Sequence, residues 1–130
     1  NLELEKLDHF ERFAEKYNQI LIRFVSLEST SSRMKLLSSK AKGFIYCFSI
    51  QGITGVRENL DKYLTKHLGQ VRRYFSLPLA VGFGISNKEQ IKSLHSAADI
   101  IVVGSAMIKA FKEGGLSQAR IKMRELIKAP

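Results

Sequence analysis

The sequence predicts an α/β protein in which helices alternate with the strands of a parallel sheet. Helical patterns and short apolar runs follow each other along the whole chain. The runs are apolar at nearly every position, as expected of strands that are buried on both faces. Glycines stand where several of these runs end, and alternation of this kind produces successive right-handed βαβ units.

The first third of the chain predicts helix, strand and helix. Apolar side chains recur every three or four residues over residues 3–17, which predicts a helix with one apolar stripe. The stripe consists of Leu4, Leu7, Phe10, Phe13, Ala14 and Tyr17. Residues 20–25 are nearly all apolar and too few for a helix, so they predict the first strand. Serines and a threonine at residues 29–32 suit the N-cap of a helix that ends near Lys40.

The remaining chain predicts three more strands. Residues 44–48 predict the second strand, and a glycine-containing loop over residues 49–55 separates it from a helix at residues 60–75. Pro78 opens the third strand at residues 79–81.

Helices dominate the C-terminal third. Residues 86–89 have the serine-to-glutamate spacing of a capping box, which predicts that a helix begins there. Residues 100–103 predict the fourth strand, with Asp99 capping the turn before it. A short helix at residues 106–112 and, after a glycine pair, a last helix at residues 117–128 complete the pattern.

Composition is that of a folded, single-domain protein. The 130 residues are 45% hydrophobic and 25% charged, a balance that excludes disorder. The apolar runs are far below the ~20 residues of a membrane span, and no export signal is visible. The single cysteine, Cys47, lies in an apolar run and is expected to be buried. These observations predict a reducing, cytoplasmic setting without membrane contact.

The net charge of +9 suggests a nucleic-acid partner until its distribution is considered. The basic residues are spread over the predicted helix faces, without a dense cluster interleaved with aromatic residues. We therefore predict no nucleic-acid binding and instead attraction to a small anionic substrate. His9, His67 and His95 lie on three different predicted helices without the spacing of metal ligands, so no metal site is predicted.

Two architectures fit four parallel strands. They are an open doubly wound sheet and half of an eight-stranded (β/α)8 TIM barrel, which takes about 250 residues when complete. In both, ligands bind at the carboxyl ends of the strands. The glycines that follow predicted strands are Gly52, Gly55, Gly82, Gly84 and Gly104.

The strongest candidate site combines the loops after the third and fourth strands. Gly82 and Gly84 let the backbone approach an anion closely. Gly104 and Ser105 open a short helix whose free N–H groups and dipole favour negative charge. Together they predict a phosphate site, which in TIM barrels follows strands seven and eight. The same glycines also suit tight turns, and Ser105 also suits a helix cap.

Four segments resemble the C-terminal half of the tryptophan synthase alpha chain. They are residues 43–49 (GFIYCFS), 52–58 (GITGVRE), 77–86 (LPLAVGFGIS) and 103–106 (VGSA), and their order and spacing match as well. The resemblance covers essentially the whole chain but only about half of the family's barrel. It implies a single partial domain, residues 1–130, that supplies strands five to eight of a TIM barrel.

The resemblance also implies a function. Members of this family are cytoplasmic lyases of tryptophan biosynthesis that cleave indole-3-glycerol phosphate to indole and glyceraldehyde 3-phosphate. They act in a heterotetramer with a PLP-dependent beta chain that joins indole to serine, and the alpha chain itself holds no cofactor. The residues expected to bind the substrate phosphate are Gly82, Phe83, Gly84, Gly104 and Ser105. Those expected to line the substrate pocket and its lid loop are Tyr46, Gly52, Thr54 and Gly55.

The resemblance leaves the catalytic machinery incomplete. The family's acid/base pair, a glutamate and an aspartate, lies in the N-terminal half of the barrel, and no acidic residue here matches either one. We therefore predict no catalytic residue in this chain and no activity of the 130 residues alone. Two other functions stay open: a non-catalytic regulatory partner of the beta chain, and another phosphate-binding barrel enzyme, such as an isomerase of sugar phosphates.

A half-barrel also has a stability problem. Its sheet ends in two open edges, and its helices leave apolar faces uncovered. We therefore expect the 130-residue chain alone to be poorly soluble or to self-associate.

Overall fold

The computed structural model describes residues 4–48, 57–82 and 84–127. Within these residues, helices and strands alternate as the sequence predicts. The strands are β1 (Arg23–Ser26), β2 (Ile45–Phe48), β3 (Leu79–Val81) and β4 (Ile100–Ile101). The helices are α1 (Leu4–Lys16), α2 (Ser31–Ser38), α3 (Arg57–Arg72), α4 (Lys88–Leu94) and α5 (Ser105–Ile127). None of these helices is long and apolar enough to cross a membrane.

The two edge strands are shorter than the sequence predicts. β1 starts at Arg23 rather than at residue 20, and β4 ends at Ile101 rather than at residue 103. Each of these strands lies at an edge of the sheet and has a single neighbour, so fewer of its residues form ladder hydrogen bonds and the assigned strand is short. Within α5, Gly114 and Gly115 leave the helical range, the latter at φ 62°, which confirms the prediction of two helical segments separated by a glycine pair.

The strands form one parallel sheet in the order β1-β2-β3-β4. Each strand pairs with the one before it, so every crossover moves in the same direction. Right-handed crossovers that all move one way place their helices on the same face of the sheet. A doubly wound sheet instead reverses at a switch point and has helices on both faces. The observed order therefore matches a stretch of a TIM barrel.

One face of the sheet is packed against the helices. Val25, Cys47 and Val81 stand side by side in the strand register, and each is at most 1% exposed. Helices α2, α3 and α4 supply the side chains that complete this core, including Met34, Leu37, Leu64, Leu68, Val71 and Leu94. The α3 members recur three or four residues apart, which is the spacing of one helix face. The core therefore lies between the sheet and a single layer of helices.

The opposite face of the sheet is open among the described residues. Phe24 is 56% exposed and Ile100 is 40% exposed, although both lie in strands. The Phe24 ring contacts those of Tyr46 and Phe48, with centroids 5.3 and 6.0 Å away. The prediction of strands buried on both faces is confirmed for β3, whose three residues are all buried, and is wrong for the edge strands β1 and β4, because the described helices that pack on the sheet cover only the other face.

Helix α1 presents its apolar stripe to the outside. Phe10, Phe13 and Tyr17 belong to the predicted stripe, yet each is about half exposed or more. Phe13 and Tyr17 stack on each other, with ring centroids 4.8 Å apart. A stripe of this kind normally packs on a sheet. Here Phe13 and Tyr17 stay exposed among the described residues, whereas Leu7 and Phe10 border a cavity beside the sheet.

Ion pairs on the polar side of α1 attach it to the sheet. Glu11 pairs with Arg23, whose side chain at the start of β1 is 5% exposed. The Lys40 ammonium, just after α2, lies 2.8 Å from an Asp8 oxygen and 3.2 Å from a Glu11 oxygen. The hydrogen bond from Lys40 lowers the pKa of Asp8. Because α1 is held by its polar side, its apolar stripe stays available to another element.

The two uncovered surfaces meet beside β1. A cavity of about 410 Å³ lies there, and its lining combines the polar residues Arg23, Ser26, Ser29 and Arg33 with apolar side chains from α1, from the open sheet face and from the segment before β1. These include Leu7, Phe10, Leu21, Phe24 and Phe48. The cavity makes the α1 stripe and the open face of the sheet one continuous apolar region.

Asp99 joins α3 to the sheet. Its Oδ2 accepts a hydrogen bond from the Leu79 backbone N–H at 2.7 Å and another from Arg72 at 2.6 Å. These bonds lower the pKa of Asp99. The prediction that Asp99 caps a turn is thus incomplete, because its carboxylate bonds to a residue that is distant in sequence and starts β3.

His67 is buried on α3. Its exposed fraction is 6%, and its Nε2 has no hydrogen-bond partner among the described residues. Burial disfavours the charged imidazolium, so the pKa of His67 is lowered from its ordinary value of 6.5. This histidine packs in the helix layer as a neutral side chain.

We predict that acid destabilises the fold through His67. The unfolded chain takes up a proton near pH 6.5, whereas the folded chain does so only at lower pH. Stabilisation by the neutral imidazole is therefore complete above pH 6.5 and is lost as the pH falls through the lowered pKa. His67→Phe should remove this loss. Urea-unfolding midpoints at about pH 7.5 and about pH 5 measure it.

His95→Phe is the matched control, because His95 is exposed. It should keep the wild-type difference between the two pH values. An acid-induced loss in His67→Phe as large as in the wild type would contradict the prediction.

Candidate functional site

The carboxyl ends of β2, β3 and β4 bring the predicted site residues to one edge of the sheet. The Gly82 N–H donates to the Cys47 carbonyl at 3.3 Å, and the Val102 N–H donates to the Val81 carbonyl at 2.8 Å. Both ladders thus continue one residue past the assigned strands. They place Gly82 beside Val102, two residues before Gly104.

Gly82 lies directly beneath Tyr46. A β-carbon at Gly82 would overlap the Tyr46 hydroxyl and would come within 2.7 Å of the ring carbon that bears it. It would also press on the Val102 β-carbon at 3.3 Å. A glycine is therefore required here for close approach, and Tyr46 of β2 touches the loop after β3. Sequence reasoning named both residues but contained no signal that they touch.

The loop after β3 turns at Gly84, whose φ of 53° favours glycine. Ile85 follows and is 2% exposed, which anchors the loop in the core.

The helix after this loop begins one residue later than predicted. The N-cap of α4 is Asn87, whose Oδ1 accepts the Gln90 backbone N–H at 2.9 Å. The capping box predicted at residues 86–89 is therefore wrong by one position. The side chain that reaches back is Gln90, which binds Ser86 rather than the cap residue. The Asn-to-Gln spacing was the signal for this arrangement, since both residue types suit a capping box.

Gly104 and Ser105 begin α5 beside the loop after β3. The Gly104 carbonyl accepts the N–H groups of Met107 at 3.0 Å and Ile108 at 3.1 Å. The earlier N–H groups of α5 have no partner within the helix, so they and the helix dipole favour an anion at this end. A β-carbon at Gly104 would meet nothing within 4 Å, so the approach is open.

Some predicted site residues lie outside the described part of the chain. These are Phe83, Gly52, Thr54 and Gly55. The structure brings Tyr46 and Gly82 into contact and places Gly84 and Gly104 on loops that follow neighbouring strands. Ser105 is exposed in the first turn of α5.

Other chemically active groups lie away from this edge. Glu11 and Asp99 bond to residues at the amino ends of β1 and β3, which is the opposite edge of the sheet. Cys47 is buried on the helix side, as predicted, and burial raises the pKa of its thiol to about 12. Over residues 4–48, 57–82 and 84–127, no group of three or more His, Cys, Asp or Glu side chains is arranged to hold a metal ion. The arrangement at the carboxyl edge suits binding of an anion.

Comparison with known proteins identifies the family. The sequence model of the tryptophan synthase alpha chain matches residues 1–129. The chain belongs to the tryptophan synthase alpha chain family. The alpha chain of Campylobacter jejuni is 35% identical over 127 residues, which cover 98% of this chain and 51% of that protein. The alpha chain of Bacillus pumilus is 36% identical over 115 residues, with 87% and 42% covered.

Solved structures of alpha chains confirm the fold. The Campylobacter jejuni alpha subunit superimposes with a TM-score of 0.81 at 35% identity, covering 97% of this chain and 51% of that one. A mutant alpha subunit from Pyrococcus furiosus gives 0.80 at 27% identity, with 98% and 52% covered. These tryptophan synthase alpha chains are TIM barrels, and this chain spans about half of the length of its relatives. Its four parallel strands are thus half of such a barrel, as predicted.

We predict that Gly82→Ala destabilises the protein by about 2 kcal/mol, because the added methyl group must displace the Tyr46 ring. Gly104→Ala is the matched control, since its methyl group enters open space and should cost markedly less than that of Gly82→Ala, with only the weaker N-cap preference of alanine acting against it. Urea unfolding measures both. In a Tyr46→Ala background, Gly82→Ala should lower the free energy of unfolding far less. An equal loss in that background would show that the contact with Tyr46 is not the cause.

Proposed function

We propose that the protein is the alpha subunit of tryptophan synthase, a lyase that cleaves indole-3-glycerol phosphate to indole and glyceraldehyde 3-phosphate. The observation that carries the proposal is the family match along residues 1–129. It is supported by the two glycine loops at neighbouring strand ends, beside the N-terminus of α5. Backbone N–H groups at such a helix end stabilise phosphate.

This chain is proposed to bind the substrate rather than to move its protons. The residues assigned to the phosphate are Gly82, Phe83, Gly84, Gly104 and Ser105. Tyr46 lines the pocket for the indole-glycerol part, and its contact with Gly82 joins the pocket to the phosphate loop. Gly52, Thr54 and Gly55 belong to a lid that closes over the substrate and excludes water.

The proton transfers are assigned to the other half of the barrel. In the retro-aldol cleavage, the bond between the indole ring and the glycerol carbon breaks, the ring carbon takes up a proton, and a glycerol hydroxyl loses one. Glu11 and Asp99 bond at the opposite edge of the sheet and do not serve these steps. The 130 residues alone are therefore inactive in this proposal.

The missing half of the barrel is proposed to cover the open face of the sheet. Residues 1–130 are then one partial domain. The complementary strands correspond to the half of the relatives that lies outside the match. The continuous apolar region formed by the α1 stripe, the cavity beside β1 and the open sheet face supports this closure.

The assembly follows from the proposed activity. The alpha subunit needs no cofactor of its own, because the cleavage uses only acid and base groups. Its partner is a PLP-dependent beta chain that takes up indole in a heterotetramer, and the setting is the cytoplasm.

The 130-residue chain alone should self-associate through its apolar region. Light scattering on the purified chain should give a mass above that of a monomer. Phe13→Lys, in the α1 stripe, should reduce the association. Tyr63→Lys is the matched control: Tyr63 is an equally exposed aromatic residue, but it lies on α3 outside the apolar region, so its replacement should leave the association unchanged. A monodisperse monomer that unfolds cooperatively would contradict the proposed closure.

Indole release by the intact polypeptide tests the activity. We expect release from indole-3-glycerol phosphate. We also expect Gly104→Ala to raise KM about tenfold with little change in kcat, because its methyl group would enter the open space at Gly104, which is proposed to hold the phosphate. Absence of release together with ligand-dependent stimulation of a beta chain would favour a regulatory subunit. Binding of sugar phosphates without binding of indole-3-glycerol phosphate would favour a barrel isomerase.

A further inference from the structure

The loop from Gly82 to Ser86 is held at both ends. At its start, the Gly82 N–H extends the ladder to Cys47. At its end, Ile85 is buried in the core and Ser86 is bound by a side chain of α4. That side chain is Gln90, to which the activity described above gives no role.

One side-chain oxygen of Gln90 bonds to both the backbone N–H and the hydroxyl of Ser86. Its Oε1 accepts the Ser86 backbone N–H at 2.8 Å, and the Ser86 hydroxyl donates to the same atom at 3.3 Å. The Gln90 main chain is itself bonded, since its N–H donates to Asn87 Oδ1 at 2.9 Å and its carbonyl accepts the Ser93 hydroxyl at 2.9 Å. Because these bonds fix the main chain of Gln90 within α4, its side chain ties the position of Ser86 to that of the helix.

The loop needs such a support because of its glycines. Gly82 and Gly84 have more backbone freedom than other residues, so ordering them costs more entropy on binding. A ligand that finds the loop already in its binding conformation does not lose this free energy. Fixing Ser86 and Ile85 restricts the loop from its far end, and the ladder at Gly82 restricts it from the near end.

We propose that Gln90 is a positioning residue for phosphate binding, which acts by holding the Gly84–Ser86 end of the loop after β3 in place. Gln90 does not itself touch the phosphate. The inference rests on the proposed function, because it deepens the assignment of this loop to the substrate phosphate. It differs from a purely structural capping role in predicting a change in phosphate affinity that exceeds any change in the stability of α4.

The experiment compares Gln90→Met with Gln90→Glu in the intact polypeptide. Methionine keeps the length of the side chain but offers no comparable acceptor, whereas glutamate keeps an oxygen for Ser86. Gln70→Met is the matched control, since it makes the same change at an exposed position of α3. Ser93→Ala is a second control, which removes a hydrogen bond from α4 without touching the loop.

Two measurements separate the inference from the proposed function. Amide hydrogen exchange at Ser86 reports the loop without any ligand, and Gln90→Met should accelerate it about fivefold, the equivalent of one lost hydrogen bond. Gln90→Glu should restore the wild-type exchange rate. Titration with inorganic phosphate, followed by phosphorus NMR, should give a dissociation constant about fivefold higher for Gln90→Met and unchanged for both controls.

Each outcome decides one point. If Ser86 exchange is unchanged in Gln90→Met, the positioning role is overturned whatever the protein binds. If exchange accelerates but phosphate affinity stays at the wild-type value, or if Ser93→Ala weakens binding equally, Gln90 is only a helix cap and the inference is overturned. If the wild type binds no phosphate although Ser86 is protected, the proposed phosphate site itself is overturned. The role of Gln90 in phosphate binding is then overturned as well.

Discussion

The rest of the structure depends on one topological constraint, which is that all strand crossovers move in the same direction. With right-handed crossovers, the order β1-β2-β3-β4 forces the connecting helices onto one face of the sheet. The other face keeps its side chains, among them Phe24 and Ile100, without cover in the described residues. A barrel solves this problem by turning the uncovered faces of all its strands toward one another, so that they form an interior. The family match and the half-length alignment agree with that solution.

The two edges of the sheet differ in the kind of contact that they make. At the amino ends of the strands, ion pairs attach helices to the sheet, as Glu11 does through Arg23 and Asp99 does through Arg72 and Leu79. At the carboxyl ends, backbone turns and close contacts dominate. Glu11 and Asp99 therefore lie away from the edge at which an anion is proposed to bind, where carboxylates would repel it.

Sequence reasoning found the glycines of the candidate site but not their contacts. Gly82, Gly84 and Gly104 stand out because each follows a predicted strand, and this depends only on local spacing. The overlap of Tyr46 with Gly82 depends on the register between β2 and β3, which no local pattern specifies. The capping box was wrong by one position because serine and asparagine suit an N-cap equally well. Only the folded loop decides which of the two bonds to the helix and which is held by Gln90.

The sequence by itself determined the order of helices and strands, the parallel sheet, the break at Gly114 and Gly115 and the burial of Cys47, because periodicity and glycine placement are local properties. Only the tertiary structure decided which way each apolar surface faces. The stripe on α1 predicts a helix equally well whether it packs on this sheet or away from it. The ion pairs of Glu11 and Lys40 turn the polar side of α1 inward, since the buried charge of Arg23 requires a partner there. Hydrophobic periodicity predicts that α1 has an apolar stripe, but it does not predict against which element that stripe packs.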